Sequence, residues 1–398
     1  MRDTLALSGL QQQAAIPLAA GRGYLPGFDG LRAIAIAVVF VAHLGWESVV
    51  PGGLGVTLFF FLSGFLITRL LVAEMDERDG RLDLAGFWAR RLARLAPPLV
   101  VFLVVSGIAL WALGVPPEPG HVVAGLFYFM NYWQLLTPPP QGAALEAPWG
   151  HLWSLAVEEH FYFLFPLLLL VAGRSHQARL QLLLAMIAGG LIWRLVLVHV
   201  IGAPTNWTAF ASDARLDSIA WGCLLAVMLD GVGRAGPGTR ALDWLRSWTW
   251  IGLALLLVGL TVLYRDTAFR ETWRYSLQGF AIFVIVLNLY TLASARPVLG
   301  LLESAPLRLT GRLSYALYLW HLPVTWFLHQ HEGPGPLSPG ATAVAVLVSF
   351  ALALASWHFV EKPSWRLRMR FGGRPVEMLQ AVAAAAPMPA RSAGSPRP

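Results

Sequence analysis

Residues 28–46 read FDGLRAIAIAVVFVAHLGW, an apolar run with an arginine near its start and a histidine near its end. The run is long enough to cross a bilayer, because a spanning helix needs about 20 predominantly apolar residues. Arg32 and His43 are separated by about three helical turns, so a helix would place them on nearly the same face, about 16 Å apart. Ionisable residues inside a span are costly and indicate function by default. The stretch therefore predicts a membrane helix with a functional polar stripe.

The composition of the whole chain agrees with a membrane protein. Of its 398 residues, 57% are hydrophobic and only 13% are charged, whereas a soluble domain has about 25% charged residues. The net charge of +7 comes from arginines clustered between apolar runs, as topology signals are, so we predict a lipid-bilayer environment and no nucleic acid partner. The single cysteine, Cys223, excludes an internal disulfide.

The hydropathy pattern predicts an all-α, polytopic membrane helix bundle with about ten transmembrane helices. A shorter apolar stretch, from His121 to Leu136, precedes a proline-rich segment and predicts a re-entrant or partial helix. We expect a tail at 1–25, one membrane domain at 26–365, and a basic then disordered tail at 366–398. The ten predicted spans are 30–46, 52–72, 96–114, 151–172, 180–201, 212–230, 248–264, 275–293, 313–330 and 341–360.

The basic residues predict the orientation of these spans. Ten spans place both termini on one side, and with the N-terminus inside, the outer loops keep only four arginines. Cytoplasmic loops carry the excess of basic residues in membrane proteins. The pattern thus predicts a multi-pass protein of a bacterial inner (plasma) membrane with both termini cytoplasmic. The four outer arginines are Arg215, Arg265, Arg270 and Arg274.

Two acidic residues interrupt the predicted span that starts HLWSLAVEEHFYF at residue 151. Residues four apart share a helix face, so Glu158 rather than Glu159 would face the bundle interior together with Tyr162. A buried carboxylate that orients a histidine strengthens it as a base. We therefore predict Glu158 as the orienting carboxylate, with a purely structural, hydrogen-bonded glutamate as the alternative.

Arg91 and Arg94 lie one turn apart before Pro97. Two guanidinium groups at that spacing can bind a phosphate or pyrophosphate bidentately, or lipid headgroups. No histidine or cysteine spacing typical of a metal site appears, so no metal is predicted. Further polar residues of the membrane domain are assigned to an acceptor or structural site: Asp29, Ser63, Tyr162, Arg215, Asp217 and His321.

Seven segments taken in order resemble the membrane acyltransferase family 3, bacterial O-acyltransferases of surface glycans, lipopolysaccharide, peptidoglycan or macrolides. The resemblance covers about residues 26–365. The matching segments are FDGLRAIAIAVVFVAH, GGLGVTLFFFLSGFLIT, RRLARLAPP, WSLAVEEHFYFLFP, RLDSIAWG, LSYALYLWHLPV and FVEKP.

The resemblance implies transfer of an acyl group, commonly acetyl, from cytoplasmic acetyl-CoA to a hydroxyl of a carbohydrate or glycolipid acceptor, with no bound cofactor. It implies that His43 is the catalytic histidine, Arg32 its essential partner, and Arg91 and Arg94 the donor-side pair. Acyl transfer to an alcohol needs a base and donors for an oxyanion. We expect His43 with Glu158 to be the base. Some relatives carry a fused extracytoplasmic domain, so either the membrane domain completes the transfer or a separate extracytoplasmic partner protein does.

Two other functions explain part of the pattern. A transporter or flippase for a glycan or lipid would also have many spans with intramembrane Arg, His and Glu, but the chain shows no halves with matching broken helices. A membrane-bound O-acyltransferase of the lipid-modifying type would use a histidine in a late apolar run, which here is His321. Substituting His43 and His321 separately distinguishes the two enzymes.

Overall fold

The computed structural model describes residues 24–137, 148–232 and 239–370, and every regular element in these ranges is helical. The predicted all-α class is confirmed. In chain order the helices are α1 (Phe28–Val41), α2 (Gly52–Glu77), α3 (Leu84–Ala112), α4 (Pro119–Leu126), α5 (Met130–Leu136), α6 (Trp153–Ala172), α7 (His176–Val196), α8 (Thr205–Phe210), α9 (Ser212–Val232), α10 (Thr239–Leu245), α11 (Trp248–Leu263), α12 (Thr267–Glu271), α13 (Trp273–Thr291), α14 (Arg296–Leu302), α15 (Ala305–Arg312), α16 (Ser314–Glu332), α17 (Pro339–Ser356) and α18 (Lys362–Arg370).

Several helices are long and apolar enough to cross a membrane, so the chain is a multi-pass membrane protein. Six such segments occur in the described ranges, or up to seven if α13 and the bent helix after it form one span. The predicted count of ten spans is not confirmed. The six segments are Phe28–Trp46, Gly52–Glu77, Leu84–Ala112, Gly150–Ala172, His176–Ile201 and Pro339–Ser364.

The other four predicted spans differ for identifiable reasons. Helix α9 is long enough but contains Asp213, Arg215, Asp217 and Asp230, and α16 contains three histidines. Helix α11 has only 16 residues. Helix α13 is followed by a 94° bend into the segment Ala293–Leu302. By length and apolar composition, the described helices therefore include fewer candidate spans than the hydropathy pattern of the sequence predicted.

The segment 121–136 forms most of α4 and α5, each too short to span a bilayer. A partial element was predicted there. Residues 1–23 and 371–398 lie outside the described residues, so the predicted tails, and the domain boundaries at 25 and 365, remain predictions.

Helix α2 packs closely against both α1 and α9 because it carries glycines at the contacts. A Cβ on Gly55 would lie within 3 Å of Ala35 and Val39 of α1. A Cβ on Gly64 would meet Ile219 of α9 at a similar distance. Small residues allow such backbone approach between membrane helices. The close packing holds α1, which carries Arg32 and continues into the turn with His43, against α2.

Candidate active site

His43 lies where α1 widens into a π-helical turn, Ala42–Trp46. Its Nδ1 lies 2.8 Å from the carbonyl oxygen of Val39. A carbonyl only accepts, so Nδ1 carries the proton and donates it. This tautomer leaves the Nε2 lone pair available as a base, and Nε2 has no hydrogen-bond partner among the described residues.

Two further histidines lie beside His43. The His321 ring centroid is 5.0 Å from that of His43 and 5.5 Å from that of His151. His321 is fully buried and its Nδ1 donates to the carbonyl of Tyr318 at 2.8 Å, while its Nε2 has no partner in the described part of the chain. Within the described ranges, no group of three or more metal-ligating side chains converges as a metal site would require.

His43 lines a cavity of about 510 Å³, which we call the His43 cavity. Gly52 and Gly53, at the N-terminus of α2, form part of its wall. The positive end of a helix dipole stabilises negative charge. The wall also carries aromatic and basic side chains, including Trp153, Trp326, Tyr275, Arg215, Arg270 and Arg274.

A second, narrower cavity of about 100 Å³ lies at the other end of the polar stripe on α1, and we call it the Arg32 cavity. Six of the residues predicted from the sequence line it, although they come from α1, α2, α3 and α6. They are Arg32, Ser63, Arg91, Arg94, Glu158 and Tyr162.

The side chains of the Arg32 cavity contact one another in a connected set. The Arg91 guanidinium lies 3.2 Å from the centroid of the Tyr162 ring and 3.7 Å from the Glu159 carboxylate. The Tyr162 hydroxyl donates to Glu158 at 3.4 Å and also hydrogen-bonds Ser63. Glu158 and Glu159 therefore both belong to this polar cluster, where the sequence favoured Glu158 alone.

The two cavities share wall residues. Val56 of α2 and Tyr318 of α16 line both of them. The Tyr318 hydroxyl lies 2.6 Å from the Ser154 hydroxyl and donates to the His151 carbonyl at 2.7 Å. Arg32 donates to the Ser314 hydroxyl at 3.1 Å. The polar stripe of α1 thus connects a basic cavity to the cavity that holds His43.

The expected pairing of His43 with Glu158 does not occur. Glu158 lies in the Arg32 cavity with Arg91 and Tyr162, whereas His43 is oriented by the Val39 carbonyl. Helix periodicity indicated the face that Glu158 occupies but not its depth in the bundle. The Glu158 carboxylate therefore lies at the end of the stripe opposite His43.

Two aspartates of the predicted acceptor or structural set have structural partners. The Asp217 carboxylate accepts from Arg194 at 2.7 Å, and both side chains are 0% exposed. Ser276 also donates to Asp217, which ties α7, α9 and α13 together. Asp29 lies 3.7 Å from Arg312. These contacts place both aspartates outside the two cavities.

The sequence analysis did not assign a role to His151, to Tyr318, or to Arg270 and Arg274 in the cavity wall. His151 and Tyr318 flank His321 in the bundle, although His151 is far from it in sequence. In the sequence, both residues are polar side chains in an apolar context. His151 lies just before α6, and Tyr318 lies three residues before His321. In the sequence, Arg270 and Arg274 served only as topology signals.

A helical membrane domain with a histidine held by a backbone carbonyl and an arginine-lined cavity on one polar stripe has the features of a polytopic membrane acyltransferase. The chain belongs to acyltransferase family 3, since the model of that family, described as an acyltransferase domain, matches residues 25–358.

Curated relatives agree with this assignment. The chain is 32% identical over 355 residues to the O-acetyltransferase OatA of Staphylococcus aureus, covering 85% of this chain and 57% of the relative. It is 30% identical over 356 residues to a putative O-acetyltransferase of the same species, with the same coverage. The chain therefore spans less than two thirds of the length of these relatives. No solved structure matches the chain.

Proposed function

We propose that the protein is a membrane O-acyltransferase that moves an acyl group, most simply acetyl, from acyl-CoA to a hydroxyl of a carbohydrate or glycolipid acceptor. One observation carries the proposal. His43 donates its Nδ1 proton to the Val39 carbonyl and lines a cavity that shares wall residues with an arginine-lined cavity. The O-acetyltransferase names of the relatives support the same reaction class.

The Arg32 cavity suits the donor. Arg91 and Arg94 are positioned to contact phosphate oxygens, which guanidinium groups bind as charge-assisted, bidentate pairs. In the predicted orientation this cavity faces the cytoplasm, where acyl-CoA is made. The pantetheine arm would follow the stripe from Arg32 past Val56 and Tyr318 to His43.

The His43 cavity suits the reaction itself. His43 Nε2 takes the proton of the acceptor hydroxyl, and the hydroxyl oxygen attacks the thioester carbonyl carbon. The tetrahedral intermediate then collapses, the carbon–sulfur bond breaks, and the imidazolium returns the proton to the thiolate. The backbone amides at the N-terminus of α2 would stabilise the oxyanion.

His321 is the less suitable base. It is fully buried and does not line the His43 cavity, so an acceptor reaches His43 first. His321, which the lipid-modifying alternative would use, lines neither of the two cavities described above. Whether a separate extracytoplasmic protein assists the acceptor step remains a prediction of the sequence.

The test is acetyl transfer from radiolabelled acetyl-CoA to glycan by the full chain in nanodiscs. His43→Gln should lower the rate by about 10²–10⁴-fold, the usual contribution of a general base. His199→Gln, at an exposed histidine remote from both cavities, is the matched control and should leave the rate unchanged. Transfer by correctly folded His43→Gln protein within a few-fold of wild type would refute the proposal.

A further inference from the structure

The wall of the His43 cavity has an unbalanced charge. Arg215, Arg265, Arg270 and Arg274 line it, while Glu47 is the one carboxylate among its lining residues in the described ranges. Within those ranges, none of the four guanidinium groups has a carboxylate oxygen within 4 Å. A cavity with this wall attracts an anion.

Arg215 is the most informative of the four because it is only 2% exposed. Its guanidinium donates to the Thr57 hydroxyl at 3.1 Å and stacks 3.9 Å from the centroid of the Tyr275 ring. Its Nε is buried with no partner in the described part of the chain. Burying a charge without a compensating anion is costly. Asp217 attracts Arg215 at a distance, but its hydrogen bonds are made to Arg194 and Ser276.

Two other arginines of the cavity wall can also bind a ligand. Arg274 donates to the Tyr275 hydroxyl at 2.7 Å, while its Nε lacks a partner among the described residues. Arg270 lines the same wall and attracts Glu271, the residue that follows it. Two acids adjacent in sequence have other roles.

One of these acids caps a helix of its own loop, and the other binds a hydroxyl on α8. Asp266 caps α12 by accepting from the amide of Phe269 at 2.7 Å. Glu271 accepts from the Thr208 hydroxyl, and burial raises the pKa of its carboxyl. Glu271 attracts Arg274, Arg270 and Arg215 but forms no ion pair with them within the described residues. Four arginines therefore face two carboxylates, Glu47 and Glu271, and the wall keeps an excess of positive charge for a ligand.

We propose that the acceptor is an anionic glycan, whose carboxylate or phosphate group is bound by Arg215, Arg270 and Arg274. The identification of this ligand as the acceptor rests on the proposed function. The aromatic wall supports a sugar ligand, because Trp153 and Trp326 offer flat apolar faces beside the charged groups. Binding of the anionic group holds a neighbouring sugar hydroxyl at His43.

Binding of three matched probes to the full chain tests this proposal without any acyl donor. The probes are p-nitrophenyl β-glucoside, which is neutral, the corresponding glucuronide, and the corresponding glucoside phosphate. Isothermal titration calorimetry in phosphatidylcholine nanodiscs gives the Kd of each. Either acidic probe should bind wild type about tenfold or more tighter than the neutral one, and the tighter acidic probe identifies the group recognised.

Arg270→Gln and Arg274→Gln should each weaken binding of that acidic probe by about tenfold to a hundredfold, as loss of a charge-assisted hydrogen bond does. Neither variant should change the Kd of the neutral probe. Arg81→Gln, at an exposed arginine outside the cavity, is the control and should alter nothing.

Equal Kd values for neutral and acidic probes in wild type would overturn the proposal. So would equal losses for both kinds of probe in the arginine variants. Acetyl transfer is measured separately with radiolabelled acetyl-CoA, so transfer without acidic selectivity defeats this inference alone. Absence of transfer defeats the proposed function while the binding result still stands.

Discussion

The donor side of the proposed reaction gives the sharpest prediction, because α3 carries three arginines with different surroundings. Arg91 and Arg94 line the Arg32 cavity, whereas Arg90 does not. Arg90 instead lies 3.6 Å from Glu74 and 3.7 Å from Asp83. Replacing each arginine with alanine therefore separates loss of a ligand contact from loss of a structural ion pair.

The expected magnitudes follow from these contacts. A charge-assisted hydrogen bond contributes about 1.5–3 kcal/mol, and about 1.4 kcal/mol is a factor of ten. Arg94→Ala should therefore raise the Kd for CoA by about ten- to a hundredfold. Arg91→Ala should do the same and also lower the melting temperature. Its side chain is 14% exposed, and its removal leaves the Glu159 carboxylate without this cation, at a cost of about 1–3 kcal/mol.

The assay is calorimetric titration of CoA into the full chain in nanodiscs, together with the KM for acetyl-CoA and a melting curve. Arg90→Ala should reduce stability by up to about 1 kcal/mol and leave the Kd for CoA unchanged. An unchanged Kd in folded Arg91→Ala and Arg94→Ala protein would refute the donor assignment and favour lipid headgroups as their ligands. It would leave the role of His43 untouched.

Three further predictions concern other parts of the molecule. His321→Phe should lower kcat less than loss of His43 does and leave the donor KM unchanged, measured by acetyl transfer, whereas complete loss would favour the lipid-modifying mechanism. A cysteine replacing Arg270 should react with an impermeant maleimide in intact cells, and one replacing Arg81 should not. Background labelling should be low because Cys223 is buried. The reverse labelling pattern would show that the predicted orientation is inverted. Asp217→Asn should reduce the free energy of unfolding by about 3–5 kcal/mol, because it leaves a buried arginine unpaired, and an unchanged melting temperature would contradict this.

The sequence predicted features that depend on one helix. The 3.6-residue period indicated that Arg32 and His43 lie on one stripe, and that Glu158 and Tyr162 share a face. The structure places Arg32, Glu158 and Tyr162 together in one cavity with Arg91. The shared face within one helix follows from the helical repeat alone, whereas the meeting of three helices at this cavity does not.

Relations between helices were beyond the sequence. The approach of His321 to His43 joins residues on α1 and α16, and periodicity says nothing about which helices are neighbours. The depth of a side chain in the bundle could not be predicted either. For this reason Glu158 was paired with His43, although it lies at the other end of the stripe. The predicted ten spans are not confirmed, because α9 and α16 carry buried ionisable groups such as Asp217 and His321 that lower their apolar character.

The junction between the two cavities explains how one fold can serve two substrates that approach from opposite ends. Tyr318 lines both cavities, and its hydroxyl is held by Ser154 and by the His151 carbonyl. These contacts tie α16 to the start of α6, so the wall between the cavities is rigid at the point where the thioester would pass. In the proposed reaction the arginines bind a substrate at either end, and His43 lines the cavity on the acceptor side of the junction. The pantetheine arm and its acyl group cross this point, while the donor phosphates and the acceptor glycan remain in separate cavities.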